Sequence, residues 1–198
     1  MKELELKYYA HSQIGVETIR DLWVAMYDGY NLIDRDNILK HEFYYDTEDQ
    51  ALRKKGIYAR LDVNRSLIMV KIGDGESGLF NREEITFSTM DDFYHYVDSL
   101  GVNSDLIVPL LQVMTYRKSL TLDLEGAIVE MCKDTFYYRR VGEGMGDDHY
   151  ELEFELKSGD EKALDIIREM MLEYVGDDLS PSEISKAERG FQLMTKEG

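Results

Sequence analysis

Two short runs of this chain alternate charged and apolar residues without a break, and they limit its folding more than any other feature. In Glu3-Leu4-Glu5-Leu6-Lys7 and in Glu151-Leu152-Glu153-Phe154-Glu155-Leu156-Lys157 every second side chain carries a charge. A period of two reads as a β-strand, whose successive side chains point to opposite faces. Glu3, Glu5 and Lys7 therefore share one face, and Glu151, Glu153, Glu155 and Lys157 share another. Same-face neighbours on a strand sit roughly 6.5 Å apart, so the carboxylates crowd, repel and raise one another's pKa values. A cation relieves that cost, and Mg²⁺ or Mn²⁺ prefers such hard oxygen ligands.

A single strand of this kind reads first as a solvated outer face. The other strands change the balance, because they carry the complementary charge in the same alternating way. Arg60 stands opposite Ile57, Ala59 and Leu61, while Lys71 follows Leu67 and Met69. Arg82 and Glu84 alternate with Ile85 and Phe87. Arg117, Ser119, Thr121 and Asp123 share a face opposite Leu120, Leu122 and Leu124, and Glu130, Cys132 and Asp134 continue the pattern. Amphipathic helices are available to cover the apolar sides. Together these features predict an inverted barrel, with charge inside and apolar residues outside beneath helices. A lumen holding both carboxylates and Lys/Arg suits a polyanion together with its divalent metals.

The 198 residues, 43% of them hydrophobic and only two of them proline, are enough for a full core and predict one domain over 1–198. Forty acidic against 23 basic residues give a formal charge of −17, which disfavours long nucleic acids and anionic membrane surfaces as partners. Cys132 is the single cysteine, so no internal disulfide forms and nothing points to an oxidising compartment. No apolar run approaches the roughly 20 residues that span a bilayer. Met1-Lys2-Glu3-Leu4-Glu5 lacks the apolar core of a secretion signal, which points to the cytoplasm.

Periodicity predicts strands at 3–9, 43–46, 57–63, 66–72, 79–87, 113–124, 127–132 and 149–157, with a tight Asn64-Arg65 turn between the third and fourth. Helices are expected at 12–27, 91–100, 160–175 and 182–195, the last opened by Ser180-Pro181. A short helical turn follows Thr47 and ends at Gly56, and 142–148 reads as a loop. The fold class is α+β. No P-loop or Rossmann glycine pattern occurs. His11, His41, His95 and His149 share no spacing that suggests a zinc site or a catalytic pair.

Glu3-Leu4-Glu5-Leu6-Lys7 resembles the ExExK signature of the CYTH proteins, the triphosphate tunnel metalloenzymes. Further blocks resemble that family in the same order: Tyr44-Tyr45-Asp46-Thr47, Ala51-Leu52-Arg53-Lys54-Lys55-Gly56, Ala59-Arg60, Val70-Lys71, Arg82-Glu83-Glu84, the late strand from Glu151 to Lys157, and Ser185-Lys186-Ala187-Glu188-Arg189-Gly190. Two positions depart from the pattern. Asp62 stands where a second base usually follows Arg60, and Thr115 stands where the later strand often begins KxR. One or two phosphate contacts are therefore missing or supplied elsewhere.

The resemblance implies an eight-stranded antiparallel β-barrel tunnel with a charged lumen, whose members hydrolyse or transfer phosphates of triphosphates with Mg²⁺ or Mn²⁺. It implies a metal set of Glu3, Glu5, Glu151, Glu153 and Glu155, leaving open which two of the last three bind. Lys7, Arg53, Arg60, Lys71, Arg82, Arg117, Lys186 and Arg189 would cradle phosphate oxygens, with Glu3, Glu5, Lys7 and Glu153 as the catalytic set. Glu84, Glu130 and Asp134 would orient the bases or serve simply as structural ion pairs. The reaction implied is attack of metal-activated water on the terminal phosphorus of a small triphosphate, inorganic triphosphate foremost. The alternatives are a CYTH-type adenylate cyclase and a non-catalytic polyphosphate or nucleotide-binding module. Oligomeric state, a homodimer included, stays open.

Overall fold

The computed structural model describes residues 2–29, 31–73, 75–144 and 146–196. Its strands are β1 (Lys2–Ala10), β2 (Asn31–Asp46), β3 (Ile57–Asp62), β4 (Leu67–Ile72), β5 (Gly75–Glu76), β6 (Leu79–Phe87), β7 (Val108–Leu124), β8 (Ala127–Arg140), β9 (Asp148–Ser158) and β10 (Leu179–Pro181). Four helices accompany them: α1 (Gln13–Gly29), α2 (Met90–Ser99), α3 (Lys162–Met171) and α4 (Lys186–Lys196). Eight strands pair antiparallel in the order β1-β9-β8-β7-β2-β3-β4-β6, and a β6–β1 pairing closes the barrel. β10 and β5 are short additions to β1 and β6.

The alternation in the sequence is what allows the closure. Leu6, Tyr8, Leu120, Leu122, Val129, Met131, Leu152 and Phe154 point outward and are buried beneath α1 (Ile19, Leu22, Met26) and α3 (Leu164, Ile167, Met171). Ile57, Ala59, Ile68 and Val70 are covered by α2 through Phe93 and Val97. At roughly 25 cal/mol per Å² of apolar surface removed from water, this outer layer drives folding, and the inner face is free to be polar.

The C-terminal helix departs from the expected arrangement. Ala187 and Phe191 of α4 pack against Leu111, Val113, Phe136 and Tyr138, which share the inward face of β7 and β8 with Thr115 and Asp134. The helix therefore plugs one end of the barrel. Gly190 permits it, because a Cβ there would lie 2.4 Å from Leu111 Cδ2 and 2.8 Å from the Tyr138 ring. The Ser180-Pro181 segment does not open this helix. It forms β10, with Pro181 opposite Tyr8, and an edge strand tolerates a proline because the missing N–H faces away from its partner.

Other boundaries shift outward. β2 begins at Asn31 and not at Phe43, since Leu32 to Asn37 are exposed and show no burial period, and β7 holds the segment through backbone pairing alone. β7 and β8 extend to Val108 and Arg140 in the same way. α3 is shorter than the 160–175 expected. The turn after Thr47 is organised chiefly by Asp46, whose carboxylate accepts from the N–H groups of Thr47, Leu52 and Arg53 at 2.7–2.9 Å. Gly56 ends it with a φ of +69°. In the expected 142–148 loop, Asp148 already belongs to β9, and Met145 lies outside the described residues, as does Met1.

Candidate functional site

Above the plug the inward faces of all eight barrel strands meet in one cavity of about 200 Å³. Nine basic and eight acidic side chains line it, so the excess of acid in the chain lies elsewhere on the molecule. Ser185, just before α4, and Lys186 and Ala187 of its first turn join the lining, and the Ser185 hydroxyl accepts from the Glu188 N–H at 3.1 Å.

The wall formed by β1, β6 and β9 carries the acidic row. Antiparallel register sets Glu5 beside Glu155 and Lys7 beside Glu153, while Glu3 stands opposite Arg82. Lys7 Nζ lies 2.6 Å from Glu153 and 3.0 Å from Glu5. Lys71 donates to both oxygens of Glu3, at 2.6 and 2.7 Å. Arg82 reaches Glu3 at 3.2 Å and forms a very close pair with Glu5. Burial alone would raise the pKa of Glu3, but Lys71, Arg82 and Lys7 outweigh it and hold the carboxyl at about 2. Burial disfavours the charged form of Lys7, yet Glu153, Glu5 and Glu151 raise its pKa above the ordinary lysine value.

The facing wall is organised around Asp134, which is fully buried. Arg117 grips it with two hydrogen bonds of 2.8 and 2.6 Å and also contacts Glu153. Lys186 reaches the same Asp134 carboxylate at 2.6 Å. Arg60 pairs with Glu42 at 2.8 Å. Lys157 bridges Glu155 and Glu130 at 2.7 and 2.8 Å near the exposed end of the cavity. Glu84 stands 3.6 Å from Lys71.

Three of the expected residues do not line the cavity. Glu151 is fully buried deeper in the barrel, 3.8 Å from Lys7 and from Lys186, and among the described residues no donor lies within hydrogen-bond reach of either of its oxygens. Burial pushes its pKa up to about 7, with Lys186 and Lys7 opposing the rise. Arg53 forms a bidentate pair with Glu188 of α4 at 2.7 and 2.6 Å, and Tyr58 donates to the same carboxylate at 2.8 Å. The short turn that carries Arg53 lies beside the plug, so the side chain latches the helix. Arg189 sits with its guanidinium carbon 3.6 Å from the Tyr9 ring centroid and donates to Ser182 Oγ at 3.0 Å.

Lys40, Glu42 and Arg65 line the cavity, although the sequence pattern singles out none of them. Lys40 and Glu42 lie in the part of β2 whose strand character the sequence hides. Once the strand is known to run through Tyr44, its parity places Ile38, Lys40, Glu42 and Tyr44 together on the inward face.

The carboxylates suit a hard divalent cation in kind and in number, since Glu3, Glu5, Glu153 and Glu155 all face the cavity from neighbouring strands. As they stand, lysine and arginine occupy them. Among the described residues, no three acidic, histidine or cysteine side chains are grouped ready to hold a metal ion.

Comparison with known proteins agrees with this architecture. A Hippeastrum structure, bearing an adenylyl cyclase name and described as revealing a dominant triphosphatase activity, is 19% identical, covers 96% of each chain and superposes with a TM-score of 0.64. A Bacillus halodurans protein bearing an adenylate cyclase name is 18% identical over 96% of this chain and 98% of that one, with a TM-score of 0.56. A Pyrococcus horikoshii protein is 15% identical over 99% of both chains, with a TM-score of 0.52. At such identities the likeness shows the fold alone. No curated protein matches the chain in sequence. The model of the CYTH domain matches residues 1–191, nearly the whole chain, and with this closed eight-stranded barrel the chain belongs to the CYTH domain family.

Proposed function

We propose that this chain is a metal-dependent phosphohydrolase that acts on a small triphosphate, inorganic triphosphate foremost, by attack of water on the terminal phosphorus. One observation carries the reading: an acidic row from β1 and β9 and a set of lysines and arginines drawn from strands all round the barrel and from α4 converge on one cavity. A polyanion alone would need only the bases, and a cation alone only the acids. The Hippeastrum protein, described with a dominant triphosphatase activity, supports the same reading. Glu3, Glu5, Glu153 and Glu155 would hold Mg²⁺ or Mn²⁺, which when bound supplies charge neutralisation and activation of water.

The chain's own residues account for the rest. Arg82, Arg117 and Arg60 offer planar forks for phosphate oxygens, and Lys7, Lys71 and Lys186 offer point charges. The first turn of α4 at the cavity adds the positive end of a helix dipole. These groups already line the cavity, held there by its carboxylates, and once a triphosphate has taken them over they stand beside the charge developing on the transferring phosphoryl group and on its leaving group. The lining offers little apolar surface, namely Ile38, Met69, Ala187 and the rings of Tyr44 and Tyr58, which favours an inorganic chain over a nucleoside.

The test is a product assay on inorganic triphosphate, thiamine triphosphate and ATP with Mg²⁺ or Mn²⁺, using wild type, Glu5→Gln and Glu153→Gln. Phosphate release from inorganic triphosphate that falls by orders of magnitude in both folded variants is expected. Cyclic AMP from ATP without hydrolysis would replace the reading with a cyclase. Undiminished hydrolysis in both variants would remove the metal assignment.

A further inference from the structure

Lys40 is the exception among the cavity's cations. Every other lysine or arginine lining the cavity has a carboxylate oxygen within 3.7 Å. Among the described residues Lys40 has neither an ion pair nor a side-chain hydrogen bond, although it is half-buried in the lining. The acids nearest in charge are already engaged, Glu42 by Arg60 at 2.8 Å and Asp134 by Arg117 and Lys186 at 2.6 Å. Burial and the like charge of Arg117 and Arg60 depress the Lys40 pKa to about 8. Glu42 and Asp134 act on Lys40 without pairing with it and offset only part of that depression; a part-buried ammonium with cationic neighbours and no ion-pair partner of its own is costly, and an incoming anion removes the cost.

Its place in the barrel says which part of an anion it meets. In the closed strand order, β2 is four strands from β1 in either direction, so Lys40 faces the ExExK strand across the lumen. Lys40 is opposite Thr115 in the β2–β7 register, and Arg117 is two residues further along β7. An anion that reaches both the acidic row and Lys40 must span the cavity.

We propose that Lys40 is a substrate-binding residue, its ammonium pairing with the phosphate group that lies farthest from the Glu3, Glu5 and Glu153 row. The proposal rests on the triphosphate reading. The experiment compares wild type, Lys40→Met and Lys40→Arg by calorimetric titration with inorganic triphosphate and with pyrophosphate, alongside thermal melts of each protein without ligand. Methionine keeps the length of the side chain and removes the charge. Without this charge-assisted hydrogen bond, triphosphate binding weakens by about tenfold or more. Pyrophosphate, one phosphate group shorter, loses less, and Lys40→Arg recovers most of the triphosphate affinity. The ligand-free melting temperature of Lys40→Met stays level or rises, because no ion pair is broken, whereas a structural lysine would lower it. Triphosphate affinity unchanged by Lys40→Met, in a wild type that binds triphosphate, overturns the Lys40 assignment and leaves the functional reading standing. A wild type that binds no triphosphate overturns both.

Discussion

Glu151→Gln is expected to make the metal-free protein more stable at alkaline pH, although it alters a fully buried residue in the middle of a strand. Burial raises the Glu151 pKa from 4.5 to about 7, while the unfolded chain keeps the lower value. The folded state therefore binds a proton more tightly than the unfolded state between these two values. Stability falls as pH rises through that window, and the loss is complete above it. At 1.36 kcal/mol per pKa unit, the ionised carboxylate costs about 3 kcal/mol at pH 8 and above. Glutamine has nearly the same shape and no charge at any pH, so it escapes the penalty. For a chain of this size, where each kcal/mol moves Tm by about 2–4 °C, the variant should melt about 6–12 °C higher at alkaline pH. Near pH 4, below the unfolded value, the carboxyl is mostly protonated in both states and the two should melt almost together. Urea unfolding and thermal melts in chelator, across this pH range, measure the difference directly. A variant destabilised equally at both ends of the range would refute the reasoning, since it would show that Lys7 and Lys186, each 3.8 Å away, already compensate the charge.

Two further outcomes follow from the same network. Asp134→Asn removes one of the two carboxylates that Arg117 and Lys186 share and leaves Glu153 alone to pair them, and urea unfolding should show a loss of about 3 kcal/mol. Arg53→Met breaks the bidentate, part-exposed latch on Glu188 and should cost only about 1–2 kcal/mol. In a steady-state assay on triphosphate it should also raise KM, because α4 carries Lys186 into the cavity. Unchanged KM would show that the plug holds its place without the latch.

The legible part of this molecule is the part whose burial alternates. Leu4, Leu6 and Tyr8 against Glu3, Glu5 and Lys7, or Leu152 and Phe154 against Glu151 and Glu153, state both the strand and the face in a few residues. The inward direction of their charge was readable as well, since Arg60, Lys71, Arg82 and Arg117 repeat it with the opposite sign. The first half of β2 was not legible, because Leu32 to Asn37 are exposed and backbone pairing to β7 dictates their conformation. Lys40 and Glu42 were hidden with it. The position of α4 was obscure for another reason. An amphipathic helix reads the same whether its apolar face covers a barrel or fills one, and only the inward Leu111, Phe136 and Tyr138 decide the matter. Arg53 is the converse case: its motif is intact, but in the fold it pairs with Glu188 on the plug and does not line the cavity.

The crossed pairing inside the cavity has a thermodynamic consequence for the proposed reaction. Glu3, Glu5 and Glu153 are held by Lys71, Arg82, Lys7 and Arg117, so neither a metal site nor a phosphate site stands ready. An incoming triphosphate must take these bases from their carboxylates, which leaves acidic groups uncompensated in a buried place. A divalent cation must likewise take the carboxylates from their bases. Each ligand bound alone incurs the cost of a broken ion-pair set, whereas both together exchange one complete set for another. Coupling between two sites is reciprocal, so triphosphate should tighten Mn²⁺ binding by the same factor by which Mn²⁺ tightens triphosphate. A coupling of about 1–3 kcal/mol, typical of such linkage, corresponds to about 5- to 150-fold. Titrations of Mn²⁺ into Lys71→Met, with and without inorganic triphosphate, probe the origin of the effect. Freed from its lysine, Glu3 should bind metal more readily without the anion, and the coupling should shrink. Coupling as strong as in wild type would place its source outside the Glu3–Lys71 pair.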